Sequence, residues 1–144
     1  MNPPILLAFL LADKVFREAE TGKVHVAGTF NRVGALQFPF VFPQIHVYLA
    51  LTDLAGGRHT LSLEIRHMDR NETLLKVQQP IQGSGPLDVI EVILIFNGVP
   101  IPEPGSLELV AGVDDNVVAT RLLRVLTREE FPTPPPPGGP SGRG

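Results

Sequence analysis

Apolar residues recur at every second position through most of this chain, the period of a β-strand with one buried face. From Ile45 to Thr52, Ile45, Val47, Leu49 and Leu51 share one face, and His46, Tyr48, Ala50 and Thr52 the other. After Asp53-Leu-Ala-Gly-Gly57 the alternation resumes, with Leu61, Leu63 and Ile65 inward and Ser62, Glu64 and Arg66 outward. Two alternating runs around a Gly-Gly loop predict a β-hairpin. Pairing Leu51 with Leu61 sets Tyr48 opposite Glu64 and His46 opposite Arg66. The same parity turns His25 and His46 outward and His59 and His67 inward.

A second hairpin is predicted from Leu6–Glu18 and Lys23–Phe30, turning at Glu20-Thr-Gly22, where Gly22 supplies a positive φ. Further strands are expected at Thr73–Gln79, Leu87–Phe96, Ser106–Val113 and Asn116–Leu126. Turn formers separate them: Asp69-Arg-Asn71, Gly83-Ser-Gly-Pro86, Asn97-Gly98 and Asp114-Asp-Asn116. No stretch of helical length keeps a 3.6-residue period. The proline-flanked pieces Phe38–Pro43 and Val99–Gly105 read as extended crossovers. Turn signals about ten residues apart predict an all-β, two-sheet antiparallel sandwich, immunoglobulin-like, of about 7–9 strands.

The apolar run Pro4–Ala12 is read as a buried first strand rather than a signal-peptide core. No Lys or Arg precedes it and no small-x-small site follows. It is also short of the about 20 residues that a membrane helix needs. At the other end, Phe131–Gly144 holds six prolines and four glycines in fourteen residues. Such a segment has little apolar area to offset its ordering entropy. The expectation is therefore a sandwich over residues 1–130 and a disordered Pro/Gly-rich tail over 131–144. PxxP spacing at Pro132–Pro135 and Pro134–Pro137 makes the tail a candidate ligand for an aromatic-lined groove.

Among 144 residues there is no cysteine, which removes disulfides, thiolate nucleophiles and Cys-ligated metals, and favours a reducing, cytoplasmic setting. The net charge of −3 is spread without a basic stripe, which argues against nucleic acid. No GxSxG, SxxK or GxxxxGK[ST] signature occurs, and no HxH. Asp114-Asp-Asn116 offers too few oxygens for calcium and reads as a turn. No catalytic, cofactor or metal residues are assigned.

What stands out is apolar excess. Ile5–Leu11 is apolar on both faces, as is Val89–Phe96 apart from Glu91, and three phenylalanines fall within Phe38–Phe42. A sandwich strand normally shows one face to water. Either crossovers cover these faces or another subunit does.

Several segments also match a known pattern: Leu10-Leu-Ala-Asp-Lys-Val15, Thr21-Gly-Lys23, Gly28-Thr-Phe30, Phe38-Pro39, Pro43, Val47-Tyr48, Leu51-Thr52, and Pro104-Gly105 to Leu109. Over residues 6–126 the chain resembles a family of small uncharacterised bacterial β-sandwich proteins, a domain of unknown function. The resemblance implies a bacterial origin and this fold, and it supplies no activity. At Ser106-Leu107 the chain departs from the family's preference for an aromatic after Pro-Gly. The Pro-Gly region is also similar to the return strand of immunoglobulin-like modules.

Three functional expectations follow. The first is a non-enzymatic interaction or assembly module, self-associating or binding another protein, with neither nucleic acid nor membrane as partner. Its candidate interface is Ile5, Leu7, Phe9, Phe38, Phe40, Phe42, Ile93 and Ile95. The second is a small-ligand or carbohydrate-binding module using the Phe38–Pro43 and Val99–Gly105 loops, with Asp53, His59, His46 and Tyr48 as a further candidate ligand loop. The third is an enzyme whose site gathers distant residues such as Asp53, His59 and His67. In that case, His59 meets Asp53 across the hairpin end.

Overall fold

The computed structural model describes residues 3–127 and Glu129, so the proline-rich segment 131–144 lies outside the described residues. Seven strands and no helix occur among them: β1 (Ile5–Arg17), β2 (Val24–Thr29), β3 (Arg32–Ala35), β4 (Phe40–His67), β5 (Glu72–Ile101), β6 (Gly105–Val113) and β7 (Asn116–Thr127). They form one seven-stranded sheet that does not close. With no helix, none is long and apolar enough to cross a membrane.

The predicted Gly-Gly hairpin is not there. Ile45–Thr52 and Leu61–Ile65 belong to one continuous strand, β4. Leu51 pairs with Leu6 and Ile90, whereas Leu61 pairs with Gln79 and Val113. Asp53, at φ 60°, and the bulges flanking Leu54 bend β4 without reversing it. The Gly83–Pro86 separator likewise lies inside β5, opposite that bend, with Leu54 paired to Gly85 and Gly57 to Gly83. Two stretches of turn residues therefore face each other and fold a long two-stranded ribbon.

The ribbon joins two groups of strands. Along one side of β4 run β1 (at His46–Thr52) and β6 (at Leu61–His67), and along the other runs β5. β6 carries β7, and β7 carries β3 in parallel, so the sheet is mixed rather than wholly antiparallel. Among the described residues β5 pairs only with β4, which explains its prolines: Pro80, Pro86 and Pro100 sit on an edge strand, where a missing N–H breaks no ladder bond on the open side. Asn97-Gly98 likewise bends within β5, and Val99–Ile101 go on to pair with Phe40–Phe42. The expected crossovers are partly strand.

The alternation finds the core correctly. Ile45, Val47, Leu49, Leu51, Leu63 and Leu107 are fully buried and belong to one cluster fed by both groups of strands. At the seam between β1 and β7, Arg121 sends Nη1 to the Phe9 carbonyl at 2.8 Å, while its Nε is buried without a partner. Removing one partner of a buried hydrogen bond leaves the other unsatisfied, at a cost of about 1–3 kcal/mol. Arg121→Met, which takes the donor from the Phe9 carbonyl, is therefore expected to lower unfolding stability by about 1–2 kcal/mol, as measured by urea denaturation.

Candidate functional site

The outer face of the β1–β4–β5 region is built in rows fixed by register. Ile5, Thr52 and Val89 form one row, Ala8, Ala50 and Glu91 the next, then Leu10, Tyr48 and Ile93, then Ala12, His46 and Ile95. Ile5 and Val89 are about half exposed (54% and 55%), as is Ile95 (50%). Leu7, also 54% exposed, sits where β1 shifts register between Leu6 and Ala8. That shift turns Phe9 into the core, with 6% exposure, so Phe9 is not part of this face.

Part of the face is covered from within the chain. Arg17 lies nine residues beyond Ala8, and a straight strand would carry it roughly 30 Å away. Instead its guanidinium stands 3.5 Å from Glu91, in the row of Ala8. The β1–β2 hairpin, turning at Gly22 as the sequence predicts, therefore folds back over this face. Under it, the Val15 amide donates to His46 Nδ1 at 2.9 Å, and His46 Nε2 donates to Gln44 at 2.9 Å. His46, expected outward, is buried by this return. The Tyr48 hydroxyl donates to Glu91, the same carboxylate that Arg17 approaches. Burial and, second, that carboxylate push the Tyr48 phenol up to about 12. Ile5, Leu7, Val89 and Ile95 remain open as an apolar margin around an Arg17–Glu91–Tyr48 strip.

Phe38, Phe40 and Phe42 lie elsewhere, half-buried and packed against the core. Phe42 stacks on Phe30 with centroids 5.9 Å apart and meets Phe40 edge-on at 6.1 Å. Beside them a cavity of about 320 Å³ brings together Pro39, Phe40 and Val41 with Pro100, Ile101 and Pro102, and with Arg70 and, from the start of β5, Glu72, Thr73 and Leu74. The two proline-flanked loops thus converge on one end of the molecule. Arg70 spans the rim, its Nε donating to Glu72 at 2.9 Å and its Nη1 3.8 Å from Glu103.

The candidate ligand loop Asp53, His59, His46 and Tyr48 does not gather into one place. His59, buried as its parity predicts, meets Asp114 rather than Asp53. Its Nδ1 is 2.5 Å from the Asp114 carboxylate and its Nε2 is 2.8 Å from the Ala55 carbonyl. The other Asp114 oxygen accepts the Thr60 amide at 3.0 Å. Asp114 and Asp115, at φ 51° and 69°, form the two-residue turn between β6 and β7. His67 is wholly buried and donates to the Glu103 carbonyl at 3.1 Å. Among the described residues, no three His, Asp or Glu side chains converge where a metal ion could sit.

Sequence reasoning missed Arg17, Arg70 and Asp114 as partners: Arg17 reaches Glu91 through a fold-back, Asp114 meets His59 across a long-range pairing, and Arg70 links its near neighbour Glu72 to Glu103. Glu91 had a signal: it is the one charge that interrupts the apolar run Val89–Phe96.

The fold and these surfaces define an all-β domain. A family of unknown function, DUF6941, matches residues 7–126, and the chain belongs to it. No curated protein matches. One similar solved structure is a β-glucosidase from Listeria innocua in complex with isofagomine, at 9% identity and a TM-score of 0.41. That likeness covers 83% of this chain and 16% of the enzyme's chain.

Proposed function

We propose that this chain is a non-enzymatic interaction and assembly module that self-associates through the open margin of the β1–β4–β5 face. The observation that carries the proposal is the exposure of Ile5, Leu7, Val89 and Ile95 around a covered polar strip. Apolar residues exposed together on one face of a sheet are a feature of interaction sites. A two-layer, immunoglobulin-like sandwich in a bacterial cytoplasm is part of the same reading. It is supported by the folded β4–β5 ribbon, by the single core fed from both sides, and by a chain without cysteine.

Charge placed in the margin, at its Ile95 end, tests the proposal. Ile95→Glu is expected to weaken association by about tenfold or more, the equivalent of losing one well-buried contact of ~1.4 kcal/mol. Leu122→Glu alters a residue equally exposed (54%) but on β7, and should leave association unchanged. Light scattering over a dilution series reads both. Equal behaviour of the two variants would contradict the assignment of the face.

A second reading, a small-ligand-binding module, is favoured by one specific observation. The loops around Phe38–Pro43 and Val99–Gly105 meet at a single cavity of about 320 Å³, within the size range of ligand pockets.

A further inference from the structure

The cavity beside Phe40 supports an inference that rests on the second reading above and names the occupant. Its apolar wall is Phe40, Val41, Leu74 and Ile101 with Pro39, Pro100 and Pro102. The prolines give surface but no main-chain N–H. The polar groups on the rim are Arg70, Glu72 and Thr73. The Thr73 hydroxyl donates to Glu64, and the Glu72 carboxylate accepts from Arg70. The Thr73 hydroxyl proton and one Glu72 oxygen are thus engaged inside the protein. A guanidinium has five N–H donors, and Arg70 turns only part of them toward Glu72 and Glu103. A site with donors to spare and a dry wall suits a ligand rich in carbonyl acceptors and apolar surface but poor in N–H groups. A run of prolines has that chemistry, and its extended form is ordered at low entropic cost.

The chain carries one such run, Pro132-Thr-Pro-Pro-Pro-Pro137, outside the described residues. Its starting point is fixed by β7, where Thr127 pairs with Ala35. Pro39 of the cavity wall stands four residues beyond Ala35, at most ~14 Å away. Paired strands lie ~4.8 Å apart. Thr127 is therefore within ~19 Å of Pro39, a distance that about six extended residues cover. Thr133 and the prolines after it fall within that reach. We propose that the cavity receives the Pro132–Pro137 segment of its own chain.

The test compares the full chain with a full chain in which Pro132 and Pro134–Pro137 are replaced by serine. Side-chain methyl NMR reports on Val41, Leu74 and Ile101 at the cavity and on Leu54 and Ile81 in the core at the bend of the β4–β5 ribbon, the end remote from the cavity. The expected result is a shift of the first three resonances and none of the last two, unchanged on dilution. In a second variant, Val41→Glu at a 60% exposed rim position, the amides of Phe131 and Thr133 should gain fast motion in ¹⁵N relaxation. A synthetic proline decamer is then titrated into the serine-substituted chain. Saturable shifts at Val41 and Ile101 from the decamer, with no effect of the serine substitutions, would overturn the named occupant and leave the binding reading standing. No response in any arm would overturn both, and shifts that fade on dilution would overturn the same-chain assignment.

Discussion

Gly83→Ala is expected to lower the stability of this domain by about 3 kcal/mol, at the upper end of what overpacking costs. Gly83 lies where β5 crosses the bend of β4, paired with Gly57. A Cβ built there would stand 2.0 Å from the Ala55 carbonyl oxygen and 3.0 Å from its carbon. Both are backbone atoms on the bent strand, so relief requires moving the ribbon itself. That ribbon holds β1 on one stretch and β6 on the other, and the whole core depends on its curvature. Gly56 is the control. A Cβ there meets nothing within 4 Å, so Gly56→Ala should be close to neutral. Thermal unfolding reads both, with Gly83→Ala melting about 10 °C below the parent. Equal melting of the two variants would show that the bend is not held by close packing at Gly83.

The second large effect is pH-dependent and centres on His59. Both ring nitrogens face acceptors, the Asp114 carboxylate and the Ala55 carbonyl, so the site is built for the imidazolium, which donates from both. The hydrogen bond to Asp114, then that to the Ala55 carbonyl, hold the His59 pKa above its ordinary 6.5. The same contact with His59, then the Thr60 amide, hold Asp114 below its ordinary 3.8. A raised histidine pKa gives stability that is complete below 6.5 and is lost as pH climbs through the folded-state value. A lowered carboxylate pKa gives stability that is complete above 3.8 and is lost as pH falls through the folded-state value. The pair therefore contributes fully between about pH 3.8 and 6.5. Asp114→Asn keeps a residue tolerant of the turn's positive φ but removes the charge. It should melt below the parent throughout that window, and the gap should narrow as pH rises past the His59 transition. A gap that does not change from pH 5 to pH 9 would contradict a protonated His59.

The limits of sequence reading follow from the length of two strands. Period-two alternation located the core positions on the two arms of β4, Ile45–Leu51 and Leu61–Ile65, because the inward residues keep the same parity along each arm. It could not tell a reversal from a bend. Asp53-Leu-Ala-Gly-Gly57 and Gly83-Ser-Gly-Pro86 are good turn sequences, yet each remains in a strand because the other sits opposite and bends with it. β3 escaped notice because Arg32-Val-Gly-Ala35 is four residues long and pairs in parallel with a strand ninety residues away. His46 went from outward to buried because the β1–β2 hairpin folds back, which local alternation does not encode. At the candidate face, the apolar excess of Ile5–Leu11 and Val89–Phe96 was visible in the sequence, and the register placed Ile5, Val89 and Ile95 together. The convergence of the two proline-flanked loops was proposed from their composition, and their pairing through Phe40–Ile101 and Phe42–Val99 explains it.

The central claim is that the open margin of Ile5, Leu7, Val89 and Ile95 is covered by a second copy of this chain. Sedimentation equilibrium of the full chain across a micromolar concentration series tests it most directly. The account predicts a mass of at least twice the 15.6 kDa of one chain, falling toward that value on dilution. A single 15.6 kDa species at every concentration, with no partner co-purifying, would contradict it.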